Sequence, residues 1–266
     1  MPNKHKYFLY NLFINLRLSI NFKLMLSEDI YLTSNILLNN NKLYSIDEKN
    51  RKTKITLHNW QKYLDEYGWE DFDEQWQEKL MLGKKLNRYG IIDCGGEGDC
   101  LFHCVIEALK EHGEPCIDVE NLRNLVAYEV TEENFDIILE TYKLEKENDE
   151  FDGLWDPEKI TCIEDLRKEI RTPGDNFWGD HILIQLLEKA LNINIIILNT
   201  EDLQFEENNY NIQPRCNPIN KSIVSVFLSY CFSSHFQLVG YFNGDLMKTA
   251  FKYNEMPKGL LNLIKS

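Results

Sequence analysis

Gly95-Gly96-Glu97-Gly98-Asp99-Cys100-Leu101-Phe102 is the stretch on which the reading of this chain turns. Ile91 and Ile92 lead into it as the end of a strand. After it, Leu101, Phe102, Val105, Ile106, Ala108 and Leu109 recur at helical spacing until Gly113. A cysteine therefore stands where a glycine loop becomes a helix. The partial positive charge of a helix N-terminus favours a thiolate there. Glycine tolerates the dihedrals that let successive backbone N–H groups converge on one spot. A nucleophile beside converging donors is what acyl transfer requires. The same spacing also fits a cysteine that is simply buried at a helix start, since cysteine is among the most buried residue types.

A second stretch weighs between these readings. Ser234-His235-Phe236-Gln237-Leu238-Val239 places a histidine at the start of an apolar strand. Taken alone it fits a structural histidine. A catalytic histidine, however, is commonly far from its cysteine in sequence and near it in space. Gln237 is two residues on, so its side chain shares the strand face of His235 and is placed to hydrogen-bond the imidazole and fix the ring. Should it not do so, Glu97 or Asp93 is the next candidate. His103, Cys104 and His181 read as packing or cleft lining, and Cys94 raises only the question of a second thiol.

Around these stretches the periodicity alternates between helix and strand. Trp60, Tyr63, Leu64, Tyr67, Phe72, Trp76 and Leu80 recur at three- and four-residue spacing, which predicts a helix over Leu57 to Lys85 that packs through its tryptophans. Further helices are predicted from Val119, around Ile163 to Ile170, and over Asp180 to Leu191. Ile193 to Leu198 reads as a buried strand. Ile223 to Tyr230 and His235 to Phe242 read as a hairpin turning at Phe232-Ser233-Ser234. The acidic run Glu145 to Asp152 reads as a solvated excursion, and the piece after Met256-Pro257 as short and amphipathic. Before Lys54 the pattern is mixed: Asn39-Asn40-Asn41 and Asp47 to Lys54 read as loops. The whole is an α+β arrangement, a helical body around a small, mainly antiparallel sheet.

Bulk properties narrow the function. The 266 residues are 43% hydrophobic and 27% charged, which is globular composition. A net charge of -14 disfavours wrapping nucleic acid, because phosphate contacts need clustered Lys and Arg. It suits a soluble monomer. Seven cysteines without regular spacing and without a CxxC pair argue against a disulfide framework and against a zinc site. A reduced, intracellular and cytoplasmic setting is expected. Tyr7 to Leu26 is rich in Phe, Leu and Ile, but Arg17 and Lys23 interrupt it, so no membrane role is expected.

These residues carry a resemblance to the ovarian-tumour (OTU) family of cysteine peptidases. That family shows Asp-Gly-Asn-Cys-Leu-Phe ahead of a helix, Trp-Gly leading a later helix, and a His-aromatic-Asp/Asn run in a C-terminal hairpin. Here the matching positions are Glu97-Gly98-Asp99-Cys100-Leu101-Phe102, then Trp178-Gly179-Asp180, then His235-Phe236-Gln237. The resemblance spans about residues 89 to 245. It implies a papain-like OTU fold over 89–250, preceded by a poorly defined leader (1–54) and a helical extension (55–88), and followed by a tail (251–266). It implies hydrolysis of peptide or isopeptide bonds after the ubiquitin C-terminus, with ubiquitin conjugates as partners and no metal or cofactor. By the same likeness Cys100 attacks, His235 takes its proton, and Gly95 to Asp99 helps to form the oxyanion hole. Two positions depart from the family: Glu97 stands for its Asp, and Gln237 for its Asp or Asn. Glu97 keeps the charge on a longer arm. Gln237 keeps an acceptor without the charge. Three readings follow: an active deubiquitinase, a silent ubiquitin-binding module, and a cysteine hydrolase with another substrate.

Overall fold

A computed structural model of the chain describes residues 29–110, 117–200, 212–215, 217–231 and 235–265. The expectations for Tyr7 to Leu26 and for the turn at 232–234 lie outside these residues.

The centre of the fold is a seven-stranded sheet. Strands β8 (Ser225–Cys231) and β9 (His235–Phe242) form its middle as an antiparallel pair. On the far side of β9 come β6 (Tyr89–Ile92) and then β5 (Trp69–Asp71), both antiparallel. Strand β7 (Asn194–Asn199) joins β8 in parallel. Two-residue strands β10 (Met247–Lys248) and β11 (Ala250–Phe251) complete β9 and β8. Apolar residues alternate across the sheet and bury both faces. Ile195 and Ile197 join one core with Phe236 and Leu238, while Ile196 and Leu198 join a second with Trp76, Phe227 and Val239.

The first core is covered by helices α3 (Cys100–Lys110), α4 (Val119–Tyr128), α5 (Phe135–Glu147), α6 (Ile163–Arg171) and α7 (His181–Leu191). The second is covered by α2 (Glu74–Met81) and α8 (Lys258–Leu263), through Trp76, Leu80 and Leu260. The α+β class and the mainly antiparallel sheet agree with the sequence reading.

Three expectations are corrected. The stretch 57–85 is not one helix. It runs as α1 (Trp60–Leu64), a 3-10 turn at Asp65–Tyr67, strand β5, and α2. Gly68 at φ +94 ends the first part, and Asp73 starts α2 by accepting from the N–H groups of Gln75 and Trp76. Trp60, Trp69 and Trp76 are buried, and the indole N–H groups of Trp60 and Trp76 donate to the Asn87 and Asn199 carbonyls.

The second correction concerns 29–54, read as leader and loops. It is a four-stranded antiparallel sheet: β1 (Ile30–Tyr31), β2 (Ile36–Asn39), β3 (Lys42–Ile46) and β4 (Lys52–Lys54). Asn40 and Asn41, at φ +47 and +57, make the tight β2–β3 turn. Ile36 and Leu43 enter the first core, the Leu43 N–H donates to the Asp245 carbonyl at 3.0 Å, and Lys54 pairs with the Asp245 carboxylate at 2.7 Å.

Third, the acidic run from Glu145 is not wholly an excursion. It begins as the last turn of α5, and Phe151 packs edge-on against Tyr142 and Trp155.

Candidate active site

Cys100 opens α3 at the end of the glycine loop, and it is buried, at 5% exposure. The backbone N–H of Phe236, the residue after His235, lies near enough to the Cys100 sulfur to favour its thiolate form. The Phe236 carbonyl accepts from the Cys104 thiol, one turn on, at 3.3 Å. The start of the helix and the start of strand β9 therefore meet at the nucleophile position. Burial pushes the Cys100 thiol up, and the charge of Asp93 adds to this. The N–H groups of Phe236, Leu101 and Cys100 itself pull it down. The N–H groups at the helix start pull in the direction expected from sequence, and desolvation outweighs them.

His235 stands opposite Cys231 in the hairpin. Its Nε2 lies 3.2 Å from Asp93 Oδ1, within ion-pair range but off hydrogen-bond alignment. Asp93 follows directly on β6, and its Oδ1 also accepts from the Gly95 N–H at 2.9 Å. Gln237 shares the strand face of His235, but its side-chain oxygen accepts from Cys231 Sγ at 3.5 Å. Glu97 is exposed at φ +57, with no hydrogen bond or ion pair among the described residues. Asp93 thus lies beside His235 and close enough to Cys100 for its charge to act there, and neither Gln237 nor Glu97 has a bond to the imidazole among the described residues.

Asp99, immediately before the nucleophile, is held by Arg123 of α4, whose side chain is fully buried. Arg123 Nε donates to Asp99 Oδ1 at 2.7 Å, and Asp99 Oδ2 accepts from the Gly174 N–H at 3.0 Å. Gly98 touches the same segment. At φ +81 it lies so close that a Cβ would fall 2.2 Å from the Gly174 carbonyl carbon. The Trp178-Gly179-Asp180 motif closes the back of the site. A Cβ on Gly179 would meet Phe236 Cε2 at 2.8 Å and Leu101 Cδ2 at 2.9 Å, and Asp180 caps α7 by accepting from the Leu183 N–H at 2.7 Å. Sequence reading missed Arg123. Its signal was a charged residue on the inward stripe of a helix, beside Leu122 and four residues before Ala127.

His103 packs beside Gly95, and His181 stands 3.7 Å from Glu145. Among the described residues no cluster of His, Cys, Asp and Glu could hold a metal ion, and no helix is long and apolar enough to cross a membrane.

The family model of OTU-like cysteine proteases matches residues 95–236, just over half of the chain. "Putative ubiquitin thioesterase L96" of Tipula iridescent virus is 33% identical over 138 residues, 51% of this chain and 15% of that protein. "Ubiquitin thioesterase otu2" of Schizosaccharomyces pombe is 29% identical over 130 residues, 47% of this chain and 38% of that protein. The chain therefore spans well under half the length of either relative. Among solved structures, the OTUD1 OTU domain aligns at 14% identity with a TM-score of 0.40, covering 62% of this chain and 92% of that one. An ovarian tumour domain in complex with ubiquitin aligns at 15% identity with a TM-score of 0.41, covering 66% and 82%.

Proposed function

Because the chain belongs to the family of OTU-like cysteine proteases, we propose that it hydrolyses peptide or isopeptide bonds after the C-terminus of ubiquitin, with Cys100 as nucleophile and His235 as general base. The observation that carries this reading is the meeting of the start of α3 with the start of β9: Gly179 is pinned between Leu101 and Phe236, the residues that follow Cys100 and His235, and the Cys104 thiol donates to the Phe236 carbonyl at 3.3 Å. Both relatives are named as ubiquitin thioesterases, which supports ubiquitin as the partner.

The chemistry follows from the geometry. A buried thiol becomes an attacking thiolate by giving its proton to a base. With Nε2 turned to Asp93, the nitrogen left for the thiol proton is Nδ1 of His235. The Cys100 sulfur bonds to the carbonyl carbon, and the carbonyl oxygen takes the negative charge, facing the N–H groups of the Gly95–Asp99 loop. Collapse expels the amine, which leaves with the proton held by His235. Water then gives a proton to His235 and displaces Cys100, releasing the carboxylate product and the thiol. Asp93 holds the ring, the part assigned from sequence to Gln237, and adds a charge that offsets the imidazolium. No step calls for a metal or cofactor. The acidic charge and the cysteine pattern support a monomeric, intracellular enzyme that does not engage nucleic acid.

The test is turnover of ubiquitin carrying a fluorogenic C-terminal amide. The parent chain is expected to release the fluorophore, and Cys100→Ala to lose release while keeping its melting temperature. Full turnover by Cys100→Ala would place the nucleophile elsewhere.

A further inference from the structure

Arg123 gathers more partners than any other side chain near the nucleophile, and those partners come from separate segments. Nε and Nη2 reach Asp99 Oδ1 at 2.7 and 2.6 Å. Nη1 donates to the Ile170 carbonyl at 2.9 Å, at the end of α6. Nη2 also donates to the Gly174 and Phe177 carbonyls, each at 3.3 Å. The guanidinium plane lies 4.3 Å from the ring centre of Phe102. One planar, five-donor group thus joins the loop before Cys100, the end of α6 and the segment that leads to Trp178.

We infer that Arg123 is a positioning residue for the nucleophile. It fixes the Gly95–Asp99 loop, and with it the backbone donors beside Cys100, by clamping Asp99 against the Gly174 segment.

The physical case rests on what a simpler group could not do. Asp99 is 13% exposed and lies one residue from the thiol. Left without its partner, its carboxylate would be an uncompensated charge beside the sulfur and would oppose the thiolate. A lysine keeps the charge but cannot reach a carboxylate and three carbonyls from one rigid plane. Gly98 and Gly174 press against each other, so the loop has no slack: if the clamp loosens, the two segments move apart and carry the N–H groups with them. A buried ion pair is weak evidence for stability in itself. Placed directly before the nucleophile, and tied to three carbonyls, this one has a geometric use.

This inference rests on the proposed role of Cys100, and its test has an arm that needs no ubiquitin. Arg123→Lys, Arg123→Met and the double variant Arg123→Met with Asp99→Asn are compared with the parent chain. The first arm measures kcat and KM on ubiquitin with a fluorogenic C-terminal amide. The second measures alkylation of Cys100 by iodoacetamide against pH, followed by peptide mass. The titratable neighbours in that profile are His235, Asp93 and Asp99, with the Cys104 thiol one turn on and Cys94 beside it.

Arg123→Lys is expected to lower kcat at least tenfold with KM within about twofold, as for misplacement of reacting groups. Arg123→Met is expected to move the alkylation midpoint to higher pH, and the added Asp99→Asn to return that midpoint without restoring kcat. If Arg123→Met does not fold, Arg123→Lys decides. A folded Arg123→Lys with parental kcat overturns the inference. So does an Arg123→Met alkylation profile equal to the parent's. If the parent leaves ubiquitin untouched while the alkylation shift occurs, the ubiquitin reading fails and the clamp stands.

Discussion

Asp93 Oδ1 stands 3.2 Å from Nε2 of His235, across two adjacent antiparallel strands of the central sheet. Under the proposed mechanism this contact orients the imidazole, the part that the strand alternation suggested for Gln237.

Orientation acts mainly in the transition state, so its loss shows in kcat rather than KM. Asp93→Ala is expected to lower kcat by about 10- to 100-fold with little change in KM. Gln237→Ala is expected to lower it less than about threefold, since its side chain bonds to Cys231. Steady-state kinetics on the two variants decide between them. A larger loss for Gln237→Ala returns the orienting role to Gln237.

Gly179 is pressed between Leu101 and Phe236, which follow Cys100 and His235 by one residue each. Both side chains are buried, at 1% and 3% exposure, so neither can swing out to admit a methyl group. Gly179→Ala is expected to cost about 1–3 kcal/mol through overpacking, and to lower kcat as the two neighbours are pushed. Gly96→Ala makes a control for stability, because no atom lies within 4 Å of its Cβ position. Thermal melts should separate the two clearly.

The sheet over residues 29–54 is part of the packed body. Leu43 is 4% exposed and belongs to the same core as Trp60 and Leu101. Leu43→Ala is expected to destabilise by about 2–5 kcal/mol, the range for a large aliphatic side chain cut back in a core. Deleting residues 1–54 is expected to lower the melting temperature further, by uncovering Ile55 and Trp60. An unchanged melt on that deletion would mean that the sheet contributes nothing to the core.

Two carboxyls at the α5–α7 contact set a pH dependence of stability. Burial pushes Glu145 up, and the charge of Asp180 adds to it while His181 opposes it. Burial also pushes Asp180 up, against the hydrogen bonds it accepts from Leu183 and Tyr142. A carboxyl held up in the folded state binds its proton more tightly folded than unfolded. Its contribution is therefore fully present below the ordinary carboxylate range, and is lost as pH rises through the folded value. Glu145→Gln is expected to raise the melting temperature at pH 8 and to leave it unchanged at pH 4. Equal effects at both values would remove this account.

Much of the site was legible because it is built from short motifs. The glycine loop, the helix it starts, and the strand beginning at His235 all stand where the periodicity placed them. The rest needed contacts that periodicity does not carry. The series from Trp60 to Leu80 keeps near-helical spacing although Gly68 turns the chain and Trp69 to Asp71 form a strand, because its members are buried by different neighbours. Helix α5 was hidden by its acidic end, where charge masked Ile138, Leu139 and Tyr142 on one face. Asp93 carries no local pattern, and its use depends on β6 pairing with β9. Arg123 lies on the inward stripe of its helix, and its use depends on Asp99 and three carbonyls that periodicity does not bring together.

The most direct test of the central claim is the intact mass of the protein after exposure to ubiquitin bearing a C-terminal propargyl amide, with the adduct mapped by peptide. The account predicts one ubiquitin per chain, bonded to Cys100. It also predicts no adduct in Cys100→Ala and a strongly slowed one in His235→Ala. An adduct that forms on another cysteine, or that persists in Cys100→Ala, would contradict it.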